Sequence, residues 1–121
     1  MLTYRSIPSS NIVEFTIDGD VSRQDFDDVI AEINSKIEDF GSVDVLEEIR
    51  DIGKMPPSVV WADLRWAAGH MRKVGRAAVV CDKAWVERMV DVMQPLTKAD
   101  IRHFDSDELD EARAWLVDAI D

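Results

Sequence analysis

The sequence predicts an α/β fold, with a single mixed, mostly parallel five-stranded sheet and helices on both faces. Two observations lead to this prediction. First, β-type runs and amphipathic segments alternate in the order β-β-α-β-α-β-α-β-α, which is typical of parallel strands joined by right-handed helical crossovers. Second, Ala77–Cys81 is a continuous apolar run, as expected for a central strand that is buried on both faces. The 121 residues suit one domain spanning positions 1–121.

The N-terminal part of the chain predicts a β-hairpin followed by a long helix. Leu2–Ile7 and Ile12–Asp18 are β-type runs joined by turn-forming residues, so the first strand should be the antiparallel one. Ser22 and Asp25 form the pattern of a capping box, and Gly41 is expected to end the helix. The apolar residues between them step by three or four positions and predict a buried stripe, namely Phe26, Val29, Ile30, Ile33, Ile37 and Phe40.

The rest of the chain predicts three further strands and three further helices. Val43–Ile49 is a strand, and a loop with a glycine and two prolines follows at Arg50–Pro57. Ser58 is expected to begin a second helix that runs to about Val74. The remaining elements are a strand at Arg76–Cys81, a helix at Lys83–Gln94, a strand at Ile101–Phe104 and a helix at Asp107–Ile120 with the stripe Leu109, Ala112, Leu116 and Ile120.

Charge and composition exclude several classes of function. The net charge is −11, with 25 acidic against 14 basic residues, so the chain lacks the basic surface that nucleic-acid binding requires. The same charge weakens electrostatic attraction to anionic lipids, although it leaves room for a locally basic pocket. Cys81 is the only cysteine, which rules out an intrachain disulfide. Without an apolar run of membrane-spanning length or a signal-peptide pattern, we expect a cytoplasmic protein.

Three stretches of sequence resemble the SpoIIAA-like family. They are a tryptophan-led helix at Trp61–Trp66 with His70 near its end, an apolar strand followed by Asp-Lys-Ala-Trp at Arg76–Trp85, and a C-terminal helix at Asp107–Leu116. The order of elements is also that of STAS domains and of the related lipid-binding CRAL-TRIO domains. The resemblance implies a non-catalytic domain of a bacterial protein that binds a hydrophobic ligand, a membrane surface or a protein partner.

Ser58 departs from the family pattern. The sporulation regulator that gives the family its name carries a phosphorylatable serine after an aspartate, at the start of its second main helix. Here Ser58 follows Pro56 and Pro57 instead. We therefore interpret Ser58 as a helix N-cap and regard its phosphorylation as doubtful.

The expected binding site lies beyond the C-terminal ends of the strands, where ligands gather in open parallel sheets. This rim consists of Asp18–Asp20, Arg50–Pro57, Asp82–Lys83 and His103–Asp105. The most mobile part should be a flap formed by Gly53, Lys54, Met55, Pro56 and Pro57. The residues expected to bind a ligand or partner are Trp61, Asp63, Trp66, His70, Asp82 and Trp85.

Trp61 and Trp66 are the most informative of these residues. They are separated by five positions, or roughly 140° around a helix, so one buried stripe cannot cover both equally. Either one of them faces a pocket, a partner or a membrane, or both pack beneath neighbouring loops. Asp63 and His70 share a face of the same helix but lack an identifiable nucleophile, so we predict no catalysis.

Neither a metal nor a cofactor is expected. The two histidines and the single cysteine do not have the spacing of a zinc site, and the five glycines are isolated rather than grouped in a phosphate-binding loop. Asp82 is expected to cap the helix that follows it, and the family resemblance adds Asp82 and Trp85 to the binding site.

Two functional hypotheses follow. The first is a small hydrophobic or lipid-like ligand held in an apolar cleft near the second helix and the flap, with peripheral membrane contact as an extension. The alternative is a protein–protein regulatory module, like the STAS antagonists of anti-sigma factors. A homodimer is compatible with either, because an exposed tryptophan patch could pair across a two-fold axis.

Overall fold

The computed structural model describes residues 2–52, 71–96 and 98–118. Within these ranges five strands form one sheet in sequence order. The first strand is antiparallel to the second, and every later pair is parallel, which confirms the predicted fold class. The strands are β1 at Leu2–Ser6, β2 at Ile12–Gly19, β3 at Val43–Ile52, β4 at Val74–Val80 and β5 at Asp100–Phe104.

Helices cover both faces of this sheet. The described helices are α1 at Arg23–Phe40, α2 at Ala84–Met93 and α3 at Leu109–Asp118. Ser22 caps α1 through the predicted capping box with Asp25, and Gly41 ends the helix with φ of 81°. No helix in the described part of the chain is long and apolar enough to cross a membrane.

The core is divided between the two faces because successive side chains of a strand point in opposite directions. On one face, side chains such as Val13, Ile17 and Val79 pack against α1 and α2. On the other face, the apolar cluster beneath α3 consists of Ile12, Leu46, Ala78, Val80, Phe104, Ala112 and Leu116. Strand β4 contributes buried side chains to both faces, as its continuous apolar run predicted.

Two predicted boundaries were wrong. Arg50–Ile52 belongs to β3 rather than to the loop, because β3 keeps pairing with β2 as far as Gly19. The second predicted helix cannot reach Val74, since Met71–Lys73 is a 3-10 turn and Val74 begins β4. Val74 is buried as a strand residue paired with Val43.

The stripe of α1 also differs from the prediction at its C-terminal end. Val29, Ile33 and Ile37 are buried, but Phe40 is 48% exposed. Lys36 is buried instead. Its ammonium group donates hydrogen bonds to the carbonyl groups of Ile7 and Ser10 in the hairpin turn. The Phe40 ring lies 5.4 Å from the same ammonium group, so the last turn of α1 is organised around a lysine rather than around an apolar side chain.

An irregularity in the pairing of β3 with β4 involves Asp44 and Gly75. Val43 pairs with Val74 and Val45 pairs with Ala77, so β4 has one residue more than β3 at this point. The Asp44 carboxylate fills the gap and accepts the Arg76 backbone N–H at 2.9 Å. A Cβ atom on Gly75 would lie 2.6 Å from Asp44 Oδ1, so a side chain at this position requires the Asp44 carboxylate to move.

Candidate functional site

Two loops meet at the C-terminal ends of the parallel strands, where the sequence predicts the binding site. The loop after β4 carries Asp82, and the turn after β5 carries Ser106. The Asp82 carboxylate accepts the Ser106 backbone N–H at 2.8 Å and the Ser106 hydroxyl at 2.6 Å. The hydroxyl bond is the main reason that the pKa of Asp82 is lowered, with the backbone bond second. Asp82 is therefore a stable anion in this site.

The loop after β4 is also held by Cys81 and His103. The Cys81 carbonyl lies 2.6 Å from Nε2 of His103, so that nitrogen must carry the proton that it donates. The buried Cys81 sulfur accepts the backbone N–H of Lys83 at 3.4 Å. These contacts fix the backbone from which Asp82 and Lys83 project.

A cleft of about 510 Å³ opens beside these loops, and we name it the rim cleft. Its described walls come from the ends of β3 and β4 and from the two loops. Most of the side chains in these walls are charged or polar. The apolar cleft that the sequence predicted near the second helix and the flap lies outside the described residues. The lining residues are Glu48, Ile49, Arg50, Val80, Asp82, Lys83 and Ser106.

Glu48 is a charged residue of the rim cleft that the predicted rim left out, whereas Arg50 was part of that rim but was not among the predicted ligand contacts. The Glu48 side chain is only 12% exposed, pairs with Arg50 at 3.3 Å and accepts the Thr16 hydroxyl at 3.3 Å. Arg50 is the extra residue of a β-bulge opposite the step from Ile17 to Asp18. Bulges re-aim side chains near binding sites. The sequence did contain a signal for Glu48. It lies two positions after Leu46 in β3, so it shares the sheet face of that buried residue although it is charged.

A second depression of about 270 Å³ lies on the sheet face over β1, β2 and β3, beside α3. We name it the arginine groove. Glu14 lies at its base, with its side chain 13% exposed, and binds Arg5 at 3.2 Å and Arg113 at 3.0 Å. Hydrogen bonding to Glu14 is the main reason that the pKa of Arg113 is raised. The groove is lined by Thr3, Tyr4, Arg5, Glu14, Thr16, Glu48, Arg50, Leu109 and Arg113.

The predicted site residues are only partly covered by the described structure. Asp82 lines the rim cleft, as predicted, but it does not cap α2. The N-cap of α2 is Lys83, and the Asp82 carboxylate bonds to Ser106 instead. Trp85 lies in the first turn of α2, and its side chain is outside the described set. The other predicted positions lie outside the described residues, namely Gly53, Lys54, Met55, Pro56, Pro57, Ser58, Trp61, Asp63, Trp66 and His70.

Comparison with known proteins identifies the fold and the family. The SpoIIAA-like family model matches residues 12–117. A crystal structure of an uncharacterized protein from the DUF3478 family of Shewanella loihica PV-4, which has a SpoIIAA-like fold, aligns with a TM-score of 0.76 and 16% identity over 96% of this chain and 92% of that one. No curated protein matches the chain. On the match to 12–117, the chain belongs to the SpoIIAA-like family.

Proposed function

We propose that this chain is a non-catalytic regulatory domain that binds a small amphipathic ligand in the rim cleft. The observation that carries this proposal is the cleft itself. Its volume of about 510 Å³ falls within the roughly 300–1,000 Å³ that is usual for small-molecule sites. It also lies at the strand ends, where ligands of parallel sheets bind.

The chemistry of the walls supports a ligand with both an apolar and a polar part. Ile49 and Val80 are the apolar residues of the lining, and of the two only Ile49 retains some exposure, at 8%. Charged groups of both signs line the cleft beside them, with Glu48 and Asp82 as acceptors and Lys83 as a donor. A polar head would pair with these charged groups, and a small aliphatic part would contact Ile49.

The Asp82–Ser106 pair supports a non-catalytic role. A serine nucleophile needs a neighbouring base that accepts its proton, and the useful base has a pKa close to the working pH. The Ser106 hydroxyl does donate to a carboxylate, but the same bond lowers the pKa of that carboxylate. Asp82 is therefore a weak base, and the pair is better suited to holding the two loops together.

Native mass spectrometry of gently purified protein tests this proposal, followed by solvent extraction and identification of released molecules. We expect a reproducible amphipathic adduct. Lys83→Glu should reduce its occupancy by about tenfold, because the change reverses a charge at the cleft mouth. Lys98→Glu is the matched control, since Lys98 is exposed and lies just before β5, at the opposite end of the sheet.

The other outcomes are equally informative. An apo mass for the wild-type protein would contradict the ligand proposal and favour a protein partner, as in STAS-type regulators. Equal loss of the adduct in Lys83→Glu and Lys98→Glu would place the ligand outside the rim cleft. The same spectrum reports whether the protein forms a homodimer. Replacing Trp66 by Ala extends the test to the predicted second helix.

A further inference from the structure

We propose that the arginine groove is a second binding site, which takes an oxyanion, either the carboxylate or the phosphate of a small molecule. The groove shares Glu48 and Arg50 with the rim cleft, but the inference does not depend on the rim cleft being occupied. It rests on the arrangement of Arg5, Arg50 and Arg113 around two nearly buried carboxylates.

The groove gathers basic side chains in an acidic chain. The chain has a net charge of −11. The lining of the groove contains three guanidinium groups and the carboxylates of Glu14 and Glu48. The exposed carboxylate of Asp110 lies 3.8 Å from Arg113 and offsets the remaining positive charge. The groove is therefore far less negative than the molecule as a whole, so a small anion is repelled least here.

The two carboxylates position the arginine side chains, but they do not occupy every N–H donor of the guanidinium groups. Glu14 is bound by both Arg5 and Arg113, and Glu48 is bound by Arg50 and by the Thr16 hydroxyl. In the described contacts, Arg5 donates to Glu14 through Nη2, and Nη2 of Arg50 lies 3.3 Å from the Glu48 carboxylate. A guanidinium group has five N–H donors, so both side chains keep donors for a ligand.

Pre-organisation of these side chains favours binding. A free arginine loses rotamer entropy when it clamps an anion, whereas one already anchored by a carboxylate loses less. The Arg5 and Arg50 side chains are nevertheless 65% and 60% exposed, so a ligand can reach them. Thr3 and Tyr4 add polar groups at the β1 edge of the groove. The surface is therefore prepared for charge-assisted hydrogen bonds to an oxyanion.

A titration with inorganic phosphate tests the proposal. Two-dimensional amide NMR follows the titration, and chloride keeps the ionic strength constant. We expect saturable shifts at Thr3, Arg5 and Thr16. The amides of Lys83 and Ser106, which line only the rim cleft, should stay unperturbed. Perturbation confined to Lys83 and Ser106 would overturn the groove assignment while leaving the rim cleft as a ligand site.

A matched pair of double variants gives the proposal its control. Arg5→Gln with Arg50→Gln should weaken phosphate binding by about tenfold or more, since hydrogen bonds to charged groups contribute strongly. Arg23→Gln with Arg88→Gln removes the same charge from exposed positions on α1 and α2 and should leave binding unchanged. If both double variants bound phosphate equally weakly, the loss of binding would be explained by net charge alone, and the proposal would be overturned.

Binding to lipid vesicles distinguishes a free anion from a lipid headgroup as the source of the oxyanion. Phosphatidylcholine vesicles with and without phosphatidic acid offer phosphate in a membrane surface. Binding of the wild-type protein only to phosphatidic acid vesicles, lost in the Arg5→Gln, Arg50→Gln variant, would support the groove with a lipid as the source of the oxyanion. Absence of binding to both inorganic phosphate and phosphatidic acid vesicles would overturn the proposal.

Discussion

The carboxylate of Asp82 joins two loops that are 24 positions apart in the chain. It accepts both a backbone and a side-chain hydrogen bond from Ser106, and both lie at the mouth of the rim cleft. A carboxylate whose pKa is lowered on folding adds stability above its unfolded pKa. That contribution is lost as the pH falls through the folded value. Acidification should therefore loosen the contact between these two loops.

Replacing Ser106 by Ala should raise the pKa of Asp82 towards its ordinary value. The hydroxyl bond is the largest cause of the depression, and the substitution removes it while keeping the backbone bond. Carboxyl carbon chemical shifts followed through an acid titration measure the change. Ser35→Ala on the exposed side of α1 serves as the control. An unchanged Asp82 titration in Ser106→Ala would show that another group sets the pKa.

Lys36 shows how a single residue can depart from a helical pattern. Its position in α1 reads as part of a polar face, yet it is 7% exposed. The reason lies 26 to 29 positions away, in the carbonyl groups of Ser10 and Ile7, which the ammonium group reaches from the helix. A buried lysine is tolerated when such acceptors are present. Helical periodicity carries no information about these distant acceptors.

At the scale of elements, local chemistry predicted how α1 begins and ends. Ser22, Asp25 and Gly41 satisfy the free backbone groups of the helix from within its own sequence, so the bounds of α1 could be predicted accurately. The end of β3 could not be predicted in this way. Its last residues resemble a loop, but pairing with β2 extends the strand to Ile52.

The pairing of β3 with β4 gives a prediction for Gly75. Gly75→Ala would place Cβ 2.6 Å from Asp44 Oδ1 and displace the carboxylate that bonds Arg76. We expect a loss of about 1–3 kcal/mol in the free energy of unfolding, as is usual for overpacking a well-filled site. Denaturant titration measures the loss.

A double-mutant cycle with Asp44→Ala assigns the cause. Because the two residues share one space, the double variant should be more stable than the sum of the single effects predicts. Strict additivity would show that the Asp44 carboxylate is not what opposes the added methyl group.

At the scale of the whole molecule, α3 closes the second face of the sheet. Ala112 and Leu116 are almost fully buried against the cluster that includes Leu46 and Phe104. Arg76 on β4 also donates to the backbone carbonyl of Trp115 at 2.7 Å. The packing of α3 therefore stabilises both the core and one wall of the arginine groove, to which Leu109 and Arg113 belong.

Leu116→Ala should lower the free energy of unfolding by about 2–5 kcal/mol, because it leaves a cavity beneath α3. Val117→Ala is the matched control, since Val117 is 54% exposed and should change stability by less than about 0.5 kcal/mol. Chemical denaturation measures both free energies of unfolding. The comparison is valid if the dependence of that free energy on denaturant concentration is the same in the two variants. Similar losses in the two variants would contradict the described packing of α3.

The sequence by itself determined the fold class, the antiparallel hairpin, the interior position of β4 and the capping of α1. These features depend on the period of the hydrophobic residues and on local backbone hydrogen bonding, and both can be recognised within a short stretch of sequence. It also placed Asp82 at the C-terminal ends of the strands, where the structure has the rim cleft. The tertiary structure decided that Asp82 bonds Ser106, that Lys36 is buried and that Glu14 gathers arginines from β1 and α3. Each of these outcomes depends on residues distant in sequence, and only folding brings their charged groups and acceptors together.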